Sequence, residues 1–160
     1  MIKNILGVDF KYEEDKLYRL NKYTNKWHCC NDIKGNKKGY INIGINKKKY
    51  LLHRVIYKYH NDDFDITDSS NNNLIDHVDI NPFDNRIENL RVVNKSQNIR
   101  NQKKRKNCSS KYKGVCWHNS ANKWQVKISI DGKAKHLGLF NNEEEAAEAY
   151  KKKYDEIMKF

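Results

Sequence analysis

Residues 74–101 decide the fold: LIDHVDINPFDNRIENLRVVNKSQNIRN. Leu74-Ile75 predicts a short apolar strand that runs straight into Asp76-His77. A polar loop follows, with Asn81-Pro82 and Asp84-Asn85 as turn residues and then Glu88-Asn89. Residues 90–93, LRVV, predict a second short strand. Asn94 opens a helix as its N-cap, with Gln97 at the third helical position, the Asn form of a capping box. The stretch therefore reads strand, loop, strand, helix, with polar groups at every joint.

That arrangement suits phosphodiester hydrolysis. Asp76 offers carboxylate oxygens, and Asn98, one turn into the helix, offers an amide oxygen. Two hard ligands beside open positions suit Mg²⁺ (or Mn²⁺), which keeps waters and takes its other ligands from phosphate. Alternation puts His77 on the other side of the strand from Asp76 unless the strand ends there, and the loop predicts that it ends. A neutral imidazole at that place can take a proton from the attacking water. Asn89 lies in the loop, where its side chain can bond backbone groups and hold the loop's shape. Any one Asn is an ordinary cap or turn residue in a Lys- and Asn-rich chain; the weight lies in the ordered set.

The stretch resembles the HNH endonuclease family, in the homing-type branch that has Asp-His in place of His-His. The resemblance runs through Asp76-His77, Asn81, Asn85, Asn89-Leu90-Arg91 and Gln97-Asn98. It implies that His77 is the general base, that Asp76 and Asn98 hold a single metal ion, and that Asn89 is the structural Asn of the loop. It also implies hydrolysis that leaves 5′-phosphate and 3′-hydroxyl ends.

A chain of 160 residues with a formal charge of +12 has room for one ordinary domain or two small ones and favours a polyanionic partner. No long apolar run or signal peptide is read, and residues 1–8 are too short for one, so the expected setting is intracellular, away from membranes. The hydrophobic fraction of 38% predicts small cores helped by Tyr and Trp. Four cysteines raise the question of zinc, but Cys29-Cys30, Cys108 and Cys116 contain no CxxC pair, and free thiols are expected.

Before the central stretch, residues 7–10 and 16–20 predict short strands, and Lys26-Trp27-His28 begins another with Trp27 as a core anchor. Residues 40–43 and 49–52 predict a hairpin turning at Asn46-Lys47. HRVIYKYH at 53–60 predicts a helix with Val55, Ile56 and Tyr59 at core spacing. His53 and Arg54 are read as scaffold residues, with Arg54 within reach of phosphate. Residues 61–73 predict a loop too polar to bury, whose acids lack the Gly of a calcium-binding EF-hand.

After the central stretch, Lys103, Lys104 and Arg105 belong to a basic linker, 102–108, suited to lie along a phosphate backbone. Within 109–160, residues 112–117 predict a strand. Residues 123–130 alternate, with Trp124, Val126, Ile128 and Ile130 on one face and Lys123, Gln125, Lys127 and Ser129 on the other. Asp131-Gly132 signals a type I′ turn into a third strand at 133–140. Asn141 or Asn142 caps a final helix with three acids in its first turn and an Ala146, Ala147, Tyr150, Tyr154, Ile157 stripe. The Lys/Gln/Lys/Ser face is left to read a DNA groove.

This unit resembles the APETALA2-type (ethylene-response-factor) DNA-binding domain through YKGV at 112–115, Lys123-Trp124, LGLF at 137–140 and EEAAEAY at 144–150. The resemblance places Lys113, Cys116, His118, Lys127, Ser129 and His136 where DNA contacts occur. Plant domains favour Arg and Trp there, so DNA binding carries over and the plant target sequence does not.

The expected fold class is α+β. A ββα-metal HNH module (core 74–101, domain 1–101) is preceded by a small β-hairpin/helix region. It is followed by a three-stranded antiparallel sheet packed on one helix (109–160). A fragment ending near Gln102 is expected to keep a foldable metal site. The expected function is a metal-dependent, free-standing homing-type or phage/viral DNA endonuclease. It would act as a monomer on double-stranded DNA, with no small-molecule substrate, in the host cytoplasm or nucleus. Its rival is a non-catalytic, sequence-specific DNA-binding regulator on an HNH scaffold. A zinc-bound RNA-binding protein has only the charge in its favour.

Overall fold

Tight two-residue links shape the N-terminal region. Strands β1 (Ile2–Ile5), β2 (Val8–Glu13), β3 (Lys16–Asn21) and β4 (Lys26–Cys29) form an antiparallel meander in chain order. Leu6 and Gly7, then Glu14 and Asp15, take positive φ in its first two links, the backbone twist that suits a hairpin. The sequence did not predict β1, because Ile2 and Ile5 lie three apart and only Ile5 is buried. Trp27 is a correction. It faces away from Leu17 and outside the core cluster, with the Lys11 ammonium 5.3 Å from its ring.

The computed structural model describes residues 1–102, 109–130 and 132–158. Lys103, Lys104 and Arg105 of the basic linker, together with Cys108 and Asp131, lie outside the described residues. The chain is mixed α+β, with antiparallel sheets and three α-helices among those residues. It divides into two compact units, Met1–Asn94 and Lys95–Phe160.

In the first unit, β5 (Asn42–Ile45) and β6 (Lys48–Leu51) pair as a hairpin through Asn46 and Lys47, both at positive φ. Helix α1 (Leu52–His60) follows directly. Its Leu52, Val55, Ile56 and Tyr59 recur at helical spacing and are buried with Ile5, Phe10, Leu17, Ile43 and Ile45. Phe64 and Ile66 are buried as well, so the loop after α1 is not wholly polar in its packing. Arg54 holds that loop, donating to the carbonyls of Asn73 at 2.6 Å, Asp68 at 2.6 Å and Ile66 at 3.2 Å. Strands β7 (Leu74–His77) and β8 (Leu90–Val93) pair antiparallel, and Ile75 and Leu90 reach the same core.

The second unit begins with the short helix α2 (Lys95–Arg100), which the sequence had placed in the first domain. Strands β9 (Val115–His118), β10 (Lys123–Ile130) and β11 (Lys133–Phe140) form a sheet in the order β11-β10-β9. Helix α3 (Glu143–Met158) covers one face, capped by Asn142, whose Oδ1 accepts the Glu144 N–H at 2.7 Å. Val115, Val126 and Ala146 form the buried centre within a ring that includes Tyr112, Trp124, Leu137 and Tyr150. Gly114, at φ +74°, lets the helix approach: a Cβ there would lie 2.1 Å from the Tyr150 ring. No helix among the described residues is long and apolar enough to cross a membrane.

Candidate functional site

The pairing of β7 with β8 sets Asp76 opposite Arg91 and His77 opposite Leu90. Strand β7 runs as far as His77 and ends there, where the loop predicted its end. Asp76, only 7% exposed, accepts from Arg91 Nε at 3.2 Å and Nη2 at 3.0 Å, both on Oδ2. A carboxylate this buried is tolerated because a guanidinium and its hydrogen bonds offset the desolvation.

His77 enters a cluster of rings. The His53 imidazole of α1 meets it edge-on with centroids 5.1 Å apart, and Tyr40 lies 6.3 Å from it. Burial pushes His53 down to a pKa of about 3, helped by His77 and Arg54, so at neutral pH it is an uncharged packing group. Asn85 reaches His77 from the loop, with Oδ1 3.0 Å from Nε2. The Asn85 amide nitrogen points to the Phe83 carbonyl at 3.5 Å, which leaves its oxygen for the imidazole. An amide oxygen only accepts, so this contact is a hydrogen bond when Nε2 carries a proton.

Asn89, at the end of a 3-10 turn (Ile87–Asn89), ties the loop together. Its Nδ2 donates to the Asp84 carbonyl and to Asp79 Oδ1, each at 2.8 Å, and its Oδ1 accepts from Asp79 N at 3.0 Å. The Val78 N–H closes the loop onto the Asn89 carbonyl at 2.9 Å. Asp84 pairs with Arg86 at 2.7 Å, and hydrogen bonds from Arg86 hold its carboxyl below the usual range. The loop is thus shaped by its own side chains.

Asp76, His77, Asn85 and Asn89 belong to the first unit, whereas Asn98 lies on α2 in the second. The sequence had read Asn85 as a turn residue only and had given neither it nor Arg91 a part in the chemistry. The signal for Arg91 was strand register: two four-residue strands, run antiparallel, set residue 91 against residue 76. Among the described residues no group of three or more His, Cys, Asp or Glu gathers as a metal site. The buried Asp76 carboxylate is a hard donor of the kind Mg²⁺ takes, with water and phosphate as further ligands. Burial, then the neighbouring Cys29, pushes the Cys30 thiol up to about 12.

On the second unit, one face of the sheet lies opposite the helix. Lys127 and Ser129 point outward while Val126 and Ile128 are buried. Register puts His136 opposite Lys127, Cys116 opposite Gln125 and His118 opposite Lys123. Cys116, His118, Lys127, Ser129 and His136 therefore share one face, and Lys123 and Gln125 complete it. Lys113, which the resemblance places among the DNA contacts, precedes β9, and its ammonium donates to the carbonyls of Arg100 and Gln102.

No family model matches the chain, and no solved structure does. Among curated proteins, the chain is similar to protein 3.8 of Escherichia phage T7, with 34% identity over 59 residues. That match covers 37% of this chain and 49% of the phage protein, so the chain spans about half the length of this relative.

Proposed function

We propose that the chain is a metal-dependent DNA endonuclease of the HNH homing type, with the outer face of the β9–β11 sheet as its DNA-reading surface. The observation that carries the reading is the His77–Asn85 contact of 3.0 Å, beside a buried acid in the same strand. A buried imidazole whose Nε2 is held by an amide oxygen has a fixed orientation, as a general base requires. The formal charge of +12 and the basic sheet face supply the attraction for a duplex. The similarity to a phage protein agrees with a viral or phage origin, and such an enzyme acts inside the cell that holds its DNA.

In this reading His77 takes the proton of the water that attacks phosphorus, and Asn85 keeps the imidazole aligned. Asp76 is the carboxylate ligand of the divalent cation, held in place by Arg91 through Oδ2. Asn98 is the second protein ligand, as the resemblance implies. When bound, the cation supplies charge stabilisation to the phosphate and the leaving oxygen.

The Asp76–Arg91 pair favours a second reading. An acid already neutralised by a guanidinium suits a DNA-binding regulator on an inactive scaffold. Incubation of supercoiled plasmid with Mg²⁺, with and without chelator, decides between them. The nuclease reading expects nicking or linearisation that chelator abolishes. It also expects His77→Ala to lower the rate by about 10²–10⁴-fold at unchanged DNA affinity. Plasmid left intact while duplex is bound would establish the regulator.

A further inference from the structure

We infer that α2, which carries Asn98, is latched to the DNA-facing sheet, so that a duplex bound on that sheet sets the position of Asn98. The inference rests on the nuclease reading for the role of Asn98. α2 has six residues. An isolated helix shorter than about 12–15 residues is marginal in water, so α2 persists through docking.

Three polar links dock it within the second unit. Arg100 is 7% exposed, and its Nη1 donates to the Ser129 carbonyl on β10 at 2.9 Å. Lys113 donates to the carbonyls of Arg100 and Gln102, acceptors that a helix leaves open at its C-terminal end. Tyr154 of α3 donates to Oδ1 of the buried Asn101 at 3.1 Å.

The Arg100 link comes at a cost. Its Nε is buried without a hydrogen-bond partner among the described residues. An apolar side chain of similar bulk would fill the space without that desolvation, so the guanidinium is there for position. Ser129 is the junction, for its side chain belongs to the outward face while its carbonyl receives Arg100. A duplex that engages Lys127 and Ser129 therefore loads the strand that holds the helix. Arg100, Lys113 and Tyr154 are positioning residues. A fragment ending near Gln102 keeps Arg100 but lacks Ser129, Lys113 and Tyr154, so in it α2 loses all three links.

The test compares the full chain with its Arg100→Met/Lys113→Met/Tyr154→Phe variant, which removes the donors and keeps the bulk. Amide hydrogen exchange is followed at residues 99–101, and at Val126 and Ile128 as a control. Both proteins are measured without metal, with and without a short duplex of plasmid sequence. In the wild type the duplex slows exchange at 99–101. In the variant those amides exchange about tenfold faster or more and stop responding to the duplex, while Val126 and Ile128 stay protected.

Equal protection at 99–101 in both proteins, or an equal response to the duplex, overturns the inference. If the triple variant disturbs β10, Lys113→Met alone takes its place, and unchanged exchange there is equally fatal. Cleavage gives a second readout. The variant's half-saturating Mg²⁺ rises about 10–100-fold, as when a partner that orients a metal ligand is lost. That loss does not add to the loss from Asn98→Ala; additive losses overturn the link to Asn98. Exchange as expected beside wild-type Mg²⁺ dependence in Asn98→Ala faults the metal assignment and leaves the latch standing.

Discussion

The Oδ1 of Asn85 lies 3.0 Å from the Nε2 of His77, so a loop residue eight positions downstream holds the strand's last side chain. Removing it takes one hydrogen-bonding partner from the imidazole. Asn85→Ala is expected to lower the cleavage rate by about tenfold or more, short of the 10²–10⁴-fold lost with the base itself. Duplex affinity stays near wild type. Single-turnover rates beside binding isotherms check it, and an unchanged rate would remove Asn85 from the mechanism.

Asp76 and Arg91 form a pair with side chains 9% and 21% exposed. Arg91→Met leaves the carboxylate buried with a counter-charge removed. The expected loss is up to about 3 kcal/mol, the low end for a buried pair because Arg91 keeps some solvent. If Asp76 binds the cation, Mg²⁺ restores more stability to the variant than to wild type, because it binds the folded state alone. Urea midpoints with and without Mg²⁺ measure this, and equal Mg²⁺ effects in the two proteins would count against Asp76 as a ligand.

His53 gives a pH dependence with a definite sign. Its folded pKa, about 3, lies below its ordinary 6.5, so between those values the unfolded chain holds the extra proton. Stability is full above about pH 6.5 and falls as pH drops toward 3. Between neutrality and about pH 4.5 the loss is about 2–3 kcal/mol, at about 1.4 kcal/mol per unit. His60 is pushed down too, mainly by burial, and adds in the same direction. Denaturation midpoints of His53→Asn should lose most of this slope; a slope equal to wild type would place the charge burden elsewhere.

Lys127 stands exposed opposite His136 in the middle of the outward face. If it meets a phosphate, Lys127→Ala flattens the slope of log K against log salt by about one unit. If it meets a base edge, the slope holds and preference at one position relaxes by about 1–3 kcal/mol. Binding measured over a salt series on matched and mismatched duplexes separates the two, and no change in either quantity would take DNA off this face.

The sequence by itself determined the elements whose signals are local. Asn46-Lys47 between apolar runs specified the β5–β6 hairpin, and the spacing of Val55, Ile56 and Tyr59 specified the buried side of α1. Strict alternation from Lys123 to Ile130 specified which side chains the second sheet turns outward. Tertiary structure alone decided the partners. Arg91 faces Asp76 because of strand register, and Asn85 meets His77 because Asn89 folds the loop back on itself. Arg54 turned to loop carbonyls, and Lys113 to the end of α2, because a buried carbonyl needs a donor and a long cationic side chain can supply it from afar. Helix α2 shows the difference most clearly. Its capping residues predict a helix, but six residues cannot hold one, and the anchors Lys113, Ser129 and Tyr154 lie more than ten positions further along the chain. Local pattern specifies an element, while its place depends on contacts that no window of sequence contains.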